Sequence, residues 1–223
     1  MRQIIAGLVV GLLVGPAAQA NIFINGDFET PAIGSGSYIL HNPGDTSLTG
    51  WTILAQIAQD GTFICCGYTG LIAASGQDWL DMTGNNDDGT GGISQTVSTI
   101  VGHTYQLSFE IGNAVAVGGP ATATSTITTM VAGAAAYSDT NASTSTSLQW
   151  QTVTHTFVAT AASTAISFSN GDPAGDDLNG LDNVVLTDVT APTPPPTNAP
   201  EPAALSLFAL GALLTLGIKR HAR

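Results

Sequence analysis

Carboxylates are the reactive groups that this sequence supplies in quantity. The chain holds 16 Asp and Glu residues against four Lys and Arg. Residues 21–190 contain 15 of these acids and no Lys or Arg, since the basic residues and the remaining acid lie towards the two ends, at Arg2, Glu201, Lys219, Arg220 and Arg223. A carboxylate in this segment must therefore be solvated, capped by backbone N–H groups or bound to a metal cation. The same charge excludes nucleic acid as a partner, because the segment has no Lys or Arg to neutralise phosphate.

Two adjacent cysteines, Cys65 and Cys66, are the second group with chemical capacity, and Gly61 and Gly67 flank them. Neighbouring cysteines can close a strained vicinal disulfide, bridge to another molecule or stay as two thiols. The flanking glycines favour a vicinal disulfide that stiffens a loop. A nucleophilic role is disfavoured, because no histidine is close to them in the sequence.

Catalytic motifs are absent from the sequence, which has no Gly-x-Ser-x-Gly, His-Glu-x-x-His or P-loop pattern. His41, His103 and His155 are far apart, so a zinc site would need the fold to gather them. The acidic loops 85–89 and 172–177 lack EF-hand spacing and are interpreted as solvated turns. A glycosidase needs two carboxylates across a cleft, and no pattern here indicates such a pair. We therefore expect that the protein is not an enzyme.

Alternating apolar and polar residues predict β-strands throughout the segment 21–190. The alternation is clearest over 105–111 and 93–97. Gly102-His103 between them indicates a turn, so these two strands are predicted to form a hairpin. Many short strands with Gly- and Asp-rich turns, and no convincing amphipathic helix, indicate an all-β antiparallel sandwich. Further strands are predicted at 51–57, 79–82, 122–131, 152–159, 165–169 and 181–189.

The N-terminus indicates export. Arg2 precedes an apolar stretch over 4–14, and Ala18-Gln19-Ala20 fits a small-x-small cleavage site for signal peptidase. Residues 1–20 are therefore predicted to be a signal peptide, with Asn21 as the mature N-terminus. The sandwich should then occupy residues 21–190.

The C-terminus indicates a membrane segment. Residues 191–199 form a Pro/Thr-rich linker, expected to be an extended polyproline II stalk. The uncharged apolar run 203–218 would span about 24 Å as a single transmembrane helix. Lys219 and Arg220 after it should stay cytoplasmic.

The segment 200–223 combines Pro200-Glu201-Pro202, a short apolar helix and a basic end. This combination resembles the PEP-CTERM sorting signal of Gram-negative bacteria. The resemblance implies processing by an exosortase, a membrane transpeptidase-like protease thought to cut near the Pro-Glu-Pro motif. It implies a protein that is anchored transiently in the inner membrane and ends at the cell surface or outside the cell. The alternative is an ordinary tail anchor with a proline-rich stem.

Short motifs follow one another in a characteristic order between residues 21 and 190. Their order resembles that of the galactose-binding-like jelly roll of many carbohydrate-binding modules, and most closely that of bacterial choice-of-anchor proteins and their relatives in plant cell walls. The resemblance implies an antiparallel jelly-roll β-sandwich whose first and last strands lie side by side. The motifs are Asn21-Ile22-Phe23-Ile24-Asn25-Gly26-Asp27-Phe28-Glu29, Gly50-Trp51, Trp79-Leu80-Asp81-Met82-Thr83-Gly84, Gly92-Ile93-Ser94-Gln95-Thr96-Val97 and Leu181-Asp182-Asn183-Val184-Val185-Leu186.

Proteins of this resemblance often hold a structural calcium ion between the first and last strands. The resemblance assigns Glu29 and Asp182 as its ligands, and calcium prefers such hard carboxylate oxygens. Asp27 and Asp81 are weaker candidates. Asp27 also fits a turn after Gly26, and Asp81 also fits an acid that caps the backbone at a strand end.

Aromatic side chains could stack on sugar rings. None is assigned to a sugar subsite by the sequence. Loops are predicted to carry Tyr38, Phe63, Tyr68 and Tyr137, and strand starts that pack into the core are predicted to carry Trp51, Trp79 and Trp150.

The expected function is non-catalytic binding of a glycan or exopolysaccharide by an exported surface or matrix protein. The expected partners are signal peptidase and exosortase during export, and then the glycan. A purely structural or adhesive matrix protein without a sugar site is one alternative. A secreted hydrolase is the other.

Overall fold

The computed structural model describes residues 20–33, 38–54, 62–65, 70–83, 91–115, 124–173 and 178–191. The chain divides into two compact units, Met1–Thr190 and Ala191–Arg223. The predicted signal peptide, most of the linker, the Pro-Glu-Pro motif and the predicted transmembrane helix lie outside the described residues. Within the described ranges, no helix has the length and apolar character needed to cross a membrane.

The described part of the first unit is built from eleven strands in two antiparallel sheets. One sheet has six strands in the order β1-β3-β4-β11-β6-β9, and the other has five in the order β2-β5-β10-β7-β8. None of the described residues is α-helical. The strands are β1 (Tyr38–His41), β2 (Thr52–Ile53), β3 (Thr62–Cys65), β4 (Trp79–Asp81), β5 (Gly92–Ser98), β6 (Thr104–Asn113), β7 (Ser125–Val131), β8 (Ala134–Asn141), β9 (Gln149–Val158), β10 (Ser163–Asn170) and β11 (Gly180–Asp188).

The main core lies between the two sheets, as the alternating pattern requires. Apolar residues at every second position of β6 point inward, as do those of β11 beside it, and those of β5 and β10 in the other sheet face them. Trp51, Phe23, Phe109 and Phe168 form a cluster of ring contacts at its centre. The predicted core position of Trp51 is confirmed, since only 2% of this side chain is exposed.

The predicted hairpin of β5 and β6 is wrong. β5 pairs with β2 and β10 in the five-stranded sheet, whereas β6 pairs with β9 and β11 in the six-stranded sheet. The link between them crosses from one sheet to the other. In this link the N–H groups of Thr99 and Gly102 donate to carbonyls in the connection between β9 and β10. A period of two identifies the buried face of a strand but not its hydrogen-bonding partner.

Most of the remaining predicted strands are confirmed with shifted ends, as β4, β7, β9, β10 and β11. Within the described part of 51–57, only Thr52–Ile53 forms a strand. The loop positions predicted for Tyr38, Phe63 and Tyr137 are wrong, because these residues lie in β1, β3 and β8. These strands are short or rich in alanine, so their alternation is weak. Tyr68 lies outside the described residues.

Candidate functional site

The opening segment of the domain lies along β11, which agrees with first and last segments that lie side by side. The N–H of Ile22 donates to the carbonyl of Leu186 at 2.9 Å, and the N–H of Val184 donates to the carbonyl of Gly26 at 2.7 Å. The side-chain amide of Asn21 donates to the carbonyl of Val184 and accepts the N–H of Leu186, both at 2.9 Å. A side chain at Gly26 would collide with the carbonyl of Val184, so this approach requires glycine.

The loop 74–78, hereafter the cover loop, encloses Glu29 with its backbone. One carboxylate oxygen of Glu29 accepts the N–H groups of Gln77 at 2.7 Å and Asp78 at 2.8 Å. Gly76 has a φ of +62°, and a Cβ there would collide with the same oxygen. The glycine is therefore required both by the left-handed backbone and by the contact with the carboxylate.

The cover loop also caps Asp182, which lies at the bulge of β11. The Oδ2 atom of Asp182 accepts the N–H of Ser75 at 3.0 Å, and Oδ1 accepts the N–H of Asn183 at 2.6 Å. Asn183 has a φ of +50°, which turns its N–H back towards the preceding carboxylate. Thus one loop binds an acid from the start of the domain and an acid from its end.

Glu29 and Asp182 beneath the cover loop form an acidic cluster with Asp78, the last residue of that loop. Asp182 is fully buried, and burial raises its pKa to about 7 against the N–H groups that lower it, with a further upward contribution from the charge of Glu29. Burial also raises the pKa of Asp78, while the N–H of Ile33 lowers it and Glu29 raises it. The Oδ1 atom of Asp78 is buried without a hydrogen-bond partner among the described residues. The cluster therefore places carboxylates close together in a buried region, where the ionised form is unfavourable.

The structure brings the predicted metal ligands Glu29 and Asp182 together. Backbone N–H groups donate to one carboxylate oxygen of Glu29 and to both oxygens of Asp182. No group of three or more His, Cys, Asp or Glu side chains within the described ranges is placed to hold a metal ion. Asp27 is exposed on the turn after Gly26. Asp81 accepts the N–H and hydroxyl of Thr83, so it caps the end of β4. In this arrangement amides stabilise the carboxylates, and calcium binding stays a prediction.

A second apolar cluster lies on the outer face of the six-stranded sheet, away from the main core. Trp79 is fully buried there and meets Trp150 edge to face at 5.7 Å. The indole N–H of Trp150 donates to the carbonyl of Ile72 at 2.8 Å. The predicted core packing is therefore confirmed for Trp79, although its cluster lies on the opposite face of the sheet from Leu80, whereas Trp150 on the same face is only partly buried.

Two glycines create the space for Trp150 on that face. Three atoms of its six-membered ring lie 2.7–3.0 Å from the place where a Cβ of Gly112 would stand, and two lie 3.0–3.1 Å from the corresponding place at Gly180. Trp150 stays partly exposed. Next to it on the same face, the hydroxyl of Thr152 donates to a carboxylate oxygen of Glu110 at 2.9 Å. We refer to Trp150, Thr152 and Glu110 as the Trp150 face.

The three histidines of the domain are not gathered into one site. Each pairs with a different carboxylate: His41 with Asp45 at 3.1 Å, His103 with Asp188 at 2.6 Å and His155 with Asp139 at 2.7 Å. Hydrogen bonds from Thr190 and His103 lower the pKa of Asp188 to about 2.

Ser47 joins the first of these pairs without forming a catalytic triad. Its hydroxyl and the carboxylate of Asp45 both contact Nδ1 of His41, at 3.0 and 3.1 Å. A triad would use the two ring nitrogens for the two partners, whereas Nε2 of His41 is buried without a hydrogen-bond partner in the part of the chain that the structure describes.

The cysteine pair and the acidic loop 172–177 lie only partly within the described residues. Cys65 ends β3 and Cys66 lies outside the described residues, so their disulfide stays a prediction. In the loop 172–177, Asp172 is 93% buried and accepts the N–H of Thr126 at 2.7 Å. The interpretation of this loop as a solvated turn is therefore wrong at Asp172.

Sequence reasoning missed the cover loop and the Trp150 face. The segment Ser75-Gly76-Gln77-Asp78 has no regular pattern, and its role depends on Glu29, which lies far away in the chain. A usable signal was present at Gly112 and Gly180, because a glycine inside a strand often marks a close approach by another group.

The strand order and the two packed sheets define the class of fold, a jelly-roll β-sandwich that is similar to solved cyclases. An apo cyclase from Fischerella sp. has a TM-score of 0.58 at 19% identity, over 80% of this chain and 100% of that one. The Stig cyclase Fisc from Fischerella sp. TAU has a TM-score of 0.57 at 20% identity, over 78% and 100%. The xylan-binding domain CBM22-1 of Xyn10C from Paenibacillus barcinonensis has a TM-score of 0.44 at 15% identity, over 72% and 100%.

At these identities the likeness establishes the fold alone. Because one fold can host unrelated functions, this likeness does not decide whether the chain is catalytic. The chain belongs to the DUF642 family, whose model matches residues 21–186 and is described as a protein of unknown function. No curated protein sequence matches the chain.

Proposed function

We propose that this chain is an exported, non-catalytic surface or matrix protein that binds a neutral glycan through the Trp150 face. The observation that carries the proposal is the partly exposed ring of Trp150, held on a floor of Gly112 and Gly180. A rigid aromatic ring on a sheet can stack on the apolar face of a sugar ring. Glu110 and Thr152 beside it can exchange hydrogen bonds with sugar hydroxyls.

The charge of the domain supports a neutral rather than an anionic polymer. Residues 21–190 carry 15 acids and no Lys or Arg. Glu110 lies within the Trp150 face, and Asp182 lies opposite it in the neighbouring strand. A uronate or sulfate group at this face would meet the carboxylate of Glu110 without a cationic partner, which disfavours its binding.

The acidic cluster supports a structural rather than a catalytic role for its carboxyls. A general acid needs a pKa near the working pH and also access to the reacting group. Asp182 meets the first condition but is fully buried, with N–H groups on both oxygens. A substrate could reach Asp182 only if the cover loop moved away from it.

Export and sorting are part of the same proposal and rest on the sequence. The signal peptide at 1–20 and the PEP-CTERM resemblance at 200–223 assign the protein to the cell surface or the extracellular matrix of a Gram-negative bacterium. The linker 191–199 would hold the binding domain away from its attachment point.

Polysaccharide depletion tests the proposed function. The full chain is mixed with insoluble neutral polysaccharides, with acidic polysaccharides, and with exopolysaccharide from its own producer, and the unbound protein is measured. We expect depletion by at least one neutral polymer and none by uronate polymers. Retention on the acidic polymers alone, or on none, would contradict the proposal. Release of reducing sugar in the same tubes would support the hydrolase alternative.

A further inference from the structure

Strand β9 is a long sheet edge whose own residues give it little protection. It forms ten consecutive pairs with β6 without a register shift and is the last strand of the six-stranded sheet. The strand Gln149–Val158 contains no proline, lysine, arginine or carboxylate. Soluble proteins usually protect such an edge by shortness, charge, proline or a bulge.

The other three edge strands of the described sheets show that protection. β1 has four residues and β2 has two. β8 carries Asp139 and has a register shift opposite Thr129 and Met130. The contrast marks β9 as the edge that is built to accept another strand.

The alternation of backbone hydrogen bonds along β6 shows which residues of β9 direct their N–H and C=O groups away from β6, towards the free edge. The carbonyl of Thr104 accepts the N–H of Val189, beyond the end of β11, so the even-numbered residues of β6 bond towards β11. Odd-numbered residues of β6 therefore bond to β9. Their partners in β9 are also odd-numbered, as the pair Tyr105 and Phe157 shows.

The even-numbered residues of β9 consequently direct their N–H and C=O groups to the free edge. The carbonyl of Thr156 confirms this direction, because it accepts the hydroxyl of Tyr137 from β8 at 2.9 Å. The backbone N–H groups of Thr152 and Thr154 have no hydrogen-bond partner in the part of the chain that the structure describes. A partner strand would satisfy them, and the second lone pair of the Thr156 carbonyl is still available.

We propose that β9 pairs with β9 of a second copy of this chain, antiparallel, about a two-fold axis at Thr154. In this register Thr152 lies opposite Thr156 of the second copy, and Trp150 lies opposite its Val158. The pairs are thus Thr–Thr and aromatic with β-branched, both of which stabilise antiparallel strands. Val158 is 57% exposed in the single chain, and this pairing covers it.

A second copy fits this edge better than an unrelated strand. A two-fold axis places β9 opposite an identical strand, with Thr154 alone opposite its own symmetry mate, so the strand must be compatible with itself. β9 meets that condition because it has no carboxylate, in a chain of net charge −12 whose copies otherwise repel one another. The pairing uses the edge of both copies, so assembly stops at a dimer with one continuous sheet of twelve strands.

Sedimentation velocity on the full chain, in a nonionic detergent that keeps its C-terminal segment soluble, tests the dimer. Thr154→Lys places two like charges opposite each other on the axis and should weaken the dimer about tenfold or more. Thr96→Lys is the matched control, since it adds the same charge to an exposed residue of β5, an inner strand of the other sheet. It should leave the dimer intact.

Crosslinking through Thr154→Cys tests the register and does not depend on how the lysine variant folds. Cα atoms of a hydrogen-bonded antiparallel pair lie about 5.5 Å apart, which suits a disulfide. Peptide mapping should find residue 154 linked to itself, whereas Thr96→Cys should give no such link. A monomeric wild type, a dimer that survives Thr154→Lys, or crosslinking that is equal at both positions would overturn the proposal.

Discussion

The stability of the domain should fall as the pH rises from 5 to 7, because Asp182 must lose its proton beneath the cover loop. Its pKa is raised from 3.8 to about 7. A raised pKa means that the folded state holds the proton more tightly than the unfolded state does. The resulting stabilisation is complete below the unfolded pKa and is lost as the pH rises through the folded pKa. The free energy of unfolding should therefore fall by about 1.4 kcal/mol per pH unit in this window, or about 2–3 kcal/mol in total.

Asp182→Asn isolates this effect from other titrating groups. The amide keeps the size of the carboxyl and one acceptor oxygen, and its lost hydrogen bond costs about 1–3 kcal/mol at every pH. The histidine–carboxylate pairs are common to both proteins and cancel in the difference. Urea unfolding in EDTA at pH 5, 6, 7 and 8 should show the variant gaining stability relative to the wild type. A difference that stays constant across this range would refute a titrating Asp182.

The same series in calcium tests the predicted metal site. A cation bound by Glu29 and Asp182 would favour the ionised carboxylate, so it should remove the pH dependence and raise the melting temperature. At a hundredfold excess over Kd the gain is about 2.7 kcal/mol. Glu29→Ala or Asp182→Ala should abolish most of that response. Equal melting in calcium and EDTA, with no bound metal by elemental analysis, would show that the site does not exist.

Three further results are expected. Gly112→Ala should force the ring of Trp150 off the sheet and cost about 1–3 kcal/mol of overpacking, measured by urea unfolding; unchanged stability would mean that the ring is free to move. Protein from the native host should begin at Asn21 and lack the basic tail, by intact mass; a retained tail in a host with active exosortase would contradict the sorting proposal. Cys65 and Cys66 should be oxidised after export, by thiol alkylation with and without reductant; two alkylated thiols without reductant would contradict it.

The sequence predicts the strands that alternate strongly and the all-β class. The pattern over 105–111 identifies β6 because its apolar residues fill one face of the core. The pairing of β5 and β6 was not predictable from that pattern, because alternation specifies a buried face and leaves the partner strand open. β8 was missed because Ala134, Ala135 and Ala136 give no alternation.

The sequence predicted the site only where the family resemblance linked residues that lie far apart in the chain. The opening and closing motifs placed Glu29 near Asp182, and the structure brings both beneath the cover loop. Their amide partners were not predictable, because backbone N–H groups at a left-handed Gly76 leave no compositional signal. Trp150 was assigned to the core because a tryptophan at a strand start is usually buried, and its true face depends on Gly112 in the neighbouring strand.

Isothermal titration of the full chain with an oligosaccharide of the neutral polymer that retains it tests the central claim most directly. Trp150→Ala should abolish binding, and Glu110→Gln, which keeps the packing, should weaken it by about tenfold. Thr96→Ala, on the outer face of the other sheet, is the control and should bind like the wild type. Thermal unfolding of each variant confirms that it is folded. Unchanged affinity in folded Trp150→Ala and Glu110→Gln would contradict glycan binding at the Trp150 face.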